Sequence, residues 1–323
     1  MEKSSVCSFV DVLAARPRVY RYLQKTPLHH YSGLSELIGA DVYLKHENHQ
    51  PVGAFKVRGG INLAVTLAES ERKACLYTAS TGNHGQSIAF GGKVTGTKVC
   101  VALPEGANPS KFAAIRRLGA EVVIHGRDFD EAREWVMQRA RIDRARFIGP
   151  TEPELIAGVG TCTFEIMESL PEVDVIIVPV GAGSCAASAA LVAKTMNPKV
   201  QVIAVQAERA PAIQRSWKAG HPVTAPMETE AEGLATRVAF ENTLRMIRDP
   251  RTGIDDFLLV SDESMRDAVK MLLEHTHNLA ELAGAAPLAA GLQVKDRLAG
   301  AKVVLVVTGG NIAMNQLQKV MAK

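Results

Sequence analysis

Short apolar runs alternate along the chain with longer stretches of helical period. Val99–Leu103, Glu121–Ile124, Val173–Val178, Val200–Val205 and Val303–Val307 are largely β-branched and apolar at successive positions. A strand with this pattern is buried on both faces, as in a parallel sheet covered by helices. Ser110–Leu118, Phe129–Ala140, Thr161–Ser169, Ser184–Met196, Glu263–Thr276 and Pro287–Leu298 space their apolar residues as helices do, and Asn108 stands where an N-cap would precede Pro109. The alternation predicts an α/β fold with right-handed crossovers. Two boundaries are marked, one before Cys75 and one at Gly149-Pro150-Thr151. They predict a small α/β unit, 75–148, inserted in a larger one built from 1–74 and 149–323. Pro222–Glu232 has no period and is expected to be a long surface connection, a type of segment that is often functional.

Composition narrows the classes. Apolar residues are 47% and charged residues 22% of the 323, which excludes disorder as the main state. The net charge of +3 is too small and too dispersed for nucleic-acid binding. No apolar run has the roughly 18 residues of a membrane helix, and the first residues, with Glu2, Lys3 and Asp11, do not form a secretory signal. The five cysteines, Cys7, Cys75, Cys100, Cys162 and Cys185, show no CxxC spacing, which fits a reducing cytoplasm. His29-His30 and His275-Thr276-His277 lack the i, i+4 spacing of a helical metal site and are expected to be structural or surface residues.

Four glycine-containing segments carry candidate chemistry. In Gly53–Gly60, Lys56 follows Phe55 and precedes a helix-like stretch. A lone lysine is usually a surface charge, but one desolvated beside an aromatic ring suits Schiff-base work, because its neutral amine is the nucleophile. Ser80-Thr81-Gly82-Asn83-His84-Gly85 lies between a strand and a helix. It is either an ordinary capped helix start or a carboxylate-binding loop. Pro179-Val180-Gly181-Ala182-Gly183-Ser184 has the strand, Gly-rich turn and helix of a phosphate cradle, and a structural turn is an equal alternative. A dinucleotide site is disfavoured, since no acid stands near Gln201 or Gln206 to hold a ribose. Thr308, in Val307-Thr308-Gly309-Gly310-Asn311, sits where a strand end faces the crevice of an α/β sheet.

Together, in this order, the four segments resemble the fold-type II pyridoxal-phosphate (PLP) enzymes, specifically the serine/threonine dehydratase group. The resemblance runs from Thr26-Pro27-Leu28 to Gly310-Asn311 and includes Tyr43-Leu44-Lys45-His46-Glu47-Asn48, Asn108-Pro109-Ser110-Lys111 and Gly119-Ala120-Glu121. It implies a tryptophan synthase β-like fold of two open twisted α/β sheets with PLP between the domains. Lys56 would carry the cofactor as a Schiff base and move the Cα proton. Phe55 would pack near the ring, and Asn83 would bond the ring's 3′ oxygen. Gly181, Ala182, Gly183 and Ser184 would bind the phosphate, and Thr308 would face the pyridine nitrogen. Gly233 and Glu281 would lie near the cofactor. Ser80, Thr81, Gly82 and His84 would line the substrate carboxylate site.

The implied activity is α,β-elimination from a β-hydroxy amino acid, giving a 2-oxo acid and ammonia. The substrate would resemble threonine or serine, with phenylserine or 3-hydroxyaspartate within reach of pocket changes. A homodimer is implied, with no nucleic-acid or membrane partner. The rivals are a racemase, a β-replacement synthase, or a catalytically silent PLP-binding protein; Lys56 with Asn83 and Thr308 argues against silence. Some departures stand out. Ala182 and Ser184 replace glycines of the relatives' phosphate loop, Ala54 stands where Ser is common, and His49 where Leu is common. Thr81 occupies the place of a racemase serine. In Gln206–Ala212, Gln206 and Ala212 replace the carboxylates of a divalent-cation site and leave Glu208 alone beside Arg209, so no metal is expected. No regulatory domain is expected after Lys323.

Overall fold

The computed structural model describes residues 6–80, 82–106 and 109–322. Its strands are β1 (Leu28–His30), β2 (Asp41–His46), β3 (Cys75–Ala79), β4 (Lys98–Leu103), β5 (Glu121–Ile124), β6 (Arg146–Phe147), β7 (Val175–Pro179), β8 (Gln201–Ala207), β9 (Asp256–Val260) and β10 (Lys302–Val307). They form two sheets, ordered β1-β2-β10-β7-β8-β9 and β5-β4-β3-β6. Every neighbouring pair is parallel except β1 and β2. The second sheet draws all its strands from the segment between Cys75 and Phe147. All of β7, and all of β10 after Lys302, is buried, as continuous apolar runs require.

The helices pack by means of small residues. Ser184–Met196 buries nine residues that are mostly Ala and Ser. Val57–Thr66 is buried from Val57 to Ala64 and lies against Asn83–Thr95 and Pro153–Ser169. Contact there is backbone to backbone. A Cβ on Gly60 would fall 2.2 Å from the Ser87 carbonyl oxygen, and one on Gly158 would fall 2.4 Å from that of Arg58.

Some predicted bounds shift. The helix expected from Thr161 starts at Pro153, because Gly158 and Gly160 serve close packing and do not break it. The helix expected from Pro287 starts at Leu282 and keeps the proline inside, with Lys295–Leu298 separate. β7 begins at Val175, not Val173. The helix expected at Ser110 runs over Pro109–Arg117, and Asn108 lies outside the described residues. Pro222–Glu232 is irregular as expected, and it is anchored where Glu230 N donates to Asp262 Oδ2 at 3.2 Å.

Candidate active site

The carboxyl ends of β3, β7 and β10 lead into Ser80, Val180 and Thr308, on the side where open parallel sheets hold ligands. There Phe55, Lys56, Asn83, Gly181, Ala182, Gly183, Ser184, Gly233, Glu281 and Thr308 line one cavity. Segments far apart in the chain thus converge on one cavity. Pro179, Cys185, Leu234 and Ala283 also line it. Ser80, Gly82 and His84 do not line this cavity, and Thr81 lies outside the described residues.

Lys56 is held by a loop stitched to the end of β10. Ala54 forms an antiparallel bridge with Gly309, Phe55 N donates to the Thr308 carbonyl at 2.9 Å, and Gly310 N donates to that of Gly53 at 2.9 Å. Ser87 Oγ donates to the Lys56 carbonyl at 2.6 Å. The Lys56 Nζ lies 5.0 Å from the Phe55 ring centroid. Burial pushes the Lys56 pKa below the ordinary lysine value, and Cys185 and Glu281 oppose the shift only in part. A desolvated amine of this kind is more often neutral and therefore nucleophilic.

Across the cavity, the turn after β7 opens the helix Ser184–Met196, whose first N–H groups have no intrahelical partner. Gly183 has φ +97°, and Thr243 Oγ1 fixes the turn by donating to the Ala182 carbonyl at 2.7 Å. A Cβ on Gly181 would meet the Gly233 carbonyl oxygen at 2.1 Å, so only backbone fits there. Cys185 joins this wall at the second helical position. Burial, reinforced by Glu47, pushes its pKa up to about 12, so it stays a neutral thiol. The sequence reading missed Cys185 although it directly follows Ser184. Thr243 had no local signal at all.

The loop after β3 is braced from behind. The His84 Nε2 lies 3.1 Å from Thr78 Oγ1 and 3.4 Å from the Ile148 carbonyl oxygen. Burial, then the Lys56 charge, lowers its pKa to about 3, so the ring is neutral. Asn83 Nδ2 donates to Glu281 Oε1 at 2.7 Å.

Behind Lys56 lies a buried ionic quartet. Arg58 donates to Glu47 Oε2 at 2.7 Å and to Glu165 Oε1 at 2.6 Å, and Lys45 Nζ lies 2.5 Å from Glu165 Oε2. All four side chains are at most 1% exposed. Two positive and two negative charges cancel, which is the condition for burying them at all.

A lysine amine desolvated opposite an anion cradle is the layout of an enzyme that works through a phosphorylated aldehyde cofactor. The chain belongs to the pyridoxal-phosphate dependent enzyme family, whose model matches residues 19–309, and within it to the serine/threonine dehydratase group of lyases. It is 37% identical over 315 residues to the L-threonine ammonia-lyase of Thermotoga maritima, covering 97% of this chain and 78% of that protein. The processed threonine deaminase isoform 2 of Solanum lycopersicum superposes with a TM-score of 0.92 at 30% identity, covering 97% of this chain and 91% of that one. Maize serine racemase also reaches 0.92, at 28% identity and 98% coverage of each chain. The cofactor is PLP, and the residues present fit it. The cradle excludes side chains at Gly181, and Lys56 lines the same cavity as the Gly181–Ser184 turn. Among the described residues no helix is long and apolar enough to cross a membrane.

Proposed function

We propose that the protein removes water from a small β-hydroxy amino acid, threonine or serine by default, and releases a 2-oxo acid and ammonia. The observation that carries this reading is Lys56, desolvated in one cavity with the Gly181–Ser184 cradle and Thr308. When bound, PLP supplies the electron sink for a negative charge at the substrate Cα. Lys56 Nζ would take the Cα proton, and the β-hydroxyl would leave as water on receiving the proton that Lys56 gives back. Hydrolysis of the resulting enamine's tautomer returns one water and frees ammonia. The cradle N–H groups and Ser184 would hold the phosphate, and Phe55 would pack near the ring. The Asn83 amide would donate to the ring oxygen. Thr308 offers the ring nitrogen a neutral hydroxyl, which does not force its protonation as a carboxylate would, and a moderated sink suits elimination. Ser80, Thr81 and Gly82 hold the substrate carboxylate, with His84 setting the loop's shape from behind. Gly233 and Glu281 close the cofactor side.

The same reading takes 75–148 as the small unit facing a larger one across the cofactor, and the active form as a cytoplasmic homodimer. All five cysteines are free, which agrees with a reducing compartment. Racemisation at Cα is a second reading, since maize serine racemase matches the fold as well as the tomato deaminase does. The test is 2-oxo-acid release by the PLP-loaded enzyme across β-hydroxy amino acids of both configurations. Lys56→Ala should abolish release, and borohydride should label Lys56. Label on another lysine, or no oxo acid from any substrate, would overturn the proposal.

A further inference from the structure

Asn311 lies past the end of β10, and the chemistry above gives it no task. Its Nδ2 donates to the Val52 carbonyl at 2.8 Å and to Asn83 Oδ1 at 2.7 Å. A backbone carbonyl can only accept, so Asn311 has to present its NH2 group on this side. Asn83 must then answer with its oxygen, which sends its own NH2 group the other way. On that side Asn83 Nδ2 donates to Glu281 Oε1 at 2.7 Å, with the carboxylate oxygen as acceptor. Both ends of the chain Val52–Asn311–Asn83–Glu281 therefore demand the same orientation of the Asn83 amide. Room for Asn311 is built in. Gly53 has φ +68°, and a Cβ there would fall 2.6 Å from Asn311 Oδ1. Val52 and Gly53 belong to the loop that carries Lys56, so the chain also ties that loop to the loop after β3.

An asparagine amide is nearly symmetric in shape, and a half-turn exchanges donor for acceptor at little steric cost. We infer that Asn311 is a positioning residue that selects which face of the Asn83 amide the cavity sees. With Asn311 in place, Asn83 turns its second amide hydrogen to a cofactor oxygen. Without Asn311, one of the two bonds that oppose the flipped form is gone, and in that form Asn83 Oδ1 would face that oxygen. The inference rests on the reading of Asn83 as a PLP contact.

The experiment is titration of the apoprotein with PLP, reading dissociation constant and visible spectrum, for Asn311→Asp, Asn311→Ala, Asn83→Ala and the double variants. Asp at 311 has only acceptors to set against Val52 O and Asn83 Oδ1, so N311D should bind PLP about tenfold or more weakly. N311A should move affinity and spectrum in the same direction as N83A, by less than N311D. If Asn311 acts through Asn83, adding N311A to N83A should change affinity by less than about twofold. Should N311D not fold, N311A and its double variant decide. Wild-type affinity in N311A, or an equal loss from N311A with and without Asn83, would overturn the inference. A native protein that takes up no PLP on Lys56 would instead defeat the cofactor reading beneath it.

Discussion

Glu47→Gln probes the buried quartet behind Lys56. Burial alone would raise the Glu47 pKa, but the Arg58 charge and hydrogen bonds, with Lys45 and Thr26, outweigh it and lower the value from 4.5 to about 2. At about 1.4 kcal/mol per pH unit, that interval corresponds to ~3 kcal/mol of folding stability. Because the folded pKa lies below the unfolded one, the contribution is complete above pH ~4.5 and fades as pH falls toward ~2. The substitution also leaves Arg58 and Lys45 facing Glu165 alone, a net buried positive charge, and breaking a buried pair in this way costs about 3–5 kcal/mol. Urea unfolding of wild type and variant at pH 7, 5 and 3 measures it. The gap should be about 3 kcal/mol at pH 7, unchanged at pH 5, and visibly smaller at pH 3. Adding Lys45→Met to E47Q restores neutrality and should recover part of the loss. A gap under about 1 kcal/mol at pH 7, or one equally large at pH 3, would refute the reasoning.

Other outcomes follow from the same geometry. Gly181→Ala places a Cβ 2.1 Å from the Gly233 carbonyl, so PLP should bind at least about tenfold more weakly; an unchanged titration curve would show that the cradle can give way. Gln206 Oε1 is committed to capping the helix Ala212–Ala219, accepting from Ile213 N and Gln214 N at 3.2 Å each, so chelation should leave turnover unchanged, and loss restored by magnesium would count against this. Elimination should outpace racemisation, because a branched Thr81 directs its hydroxyl less freely than serine does. Chiral analysis of residual serine during turnover tests it, and enantiomer forming as fast as oxo acid would sink it.

Much of the site was legible because its parts are local. Each of Lys56, Asn83, Gly181–Ser184 and Thr308 sits at a strand end or helix start, where glycine and small polar residues mark the backbone. What escaped depends on partners distant in sequence. Glu165 lies inside an apolar helix and reads as an anomaly until Arg58 and Lys45 are placed beside it. Asn311 stood in a recognised motif, but its task needs Val52 and Asn83, which only the fold supplies. His84 is expected to line the carboxylate site, and its Nε2 meets Thr78 and Ile148; a loop's sequence does not say which way a ring turns. The apolar period predicts a helix from Pro287, whereas the helix starts at Leu282 and, deeply buried, tolerates the one hydrogen bond that Pro287 cannot make.

The helix that follows Lys56 serves two apolar clusters. Leu63, with Leu67 just beyond it, packs with Leu76, Ile88 and Val101 beneath the four-stranded sheet, while Val57 and Ile61 pack with Val19 and Leu23. During synthesis this helix emerges before the strands it will support, so Leu63 and Leu67 wait for their partners. A fragment cut at residues 75–148 would lack Leu63 and Leu67 and expose the groove they fill, an invitation to aggregate. Exchange of that segment between relatives must therefore carry residues 57–67 with it.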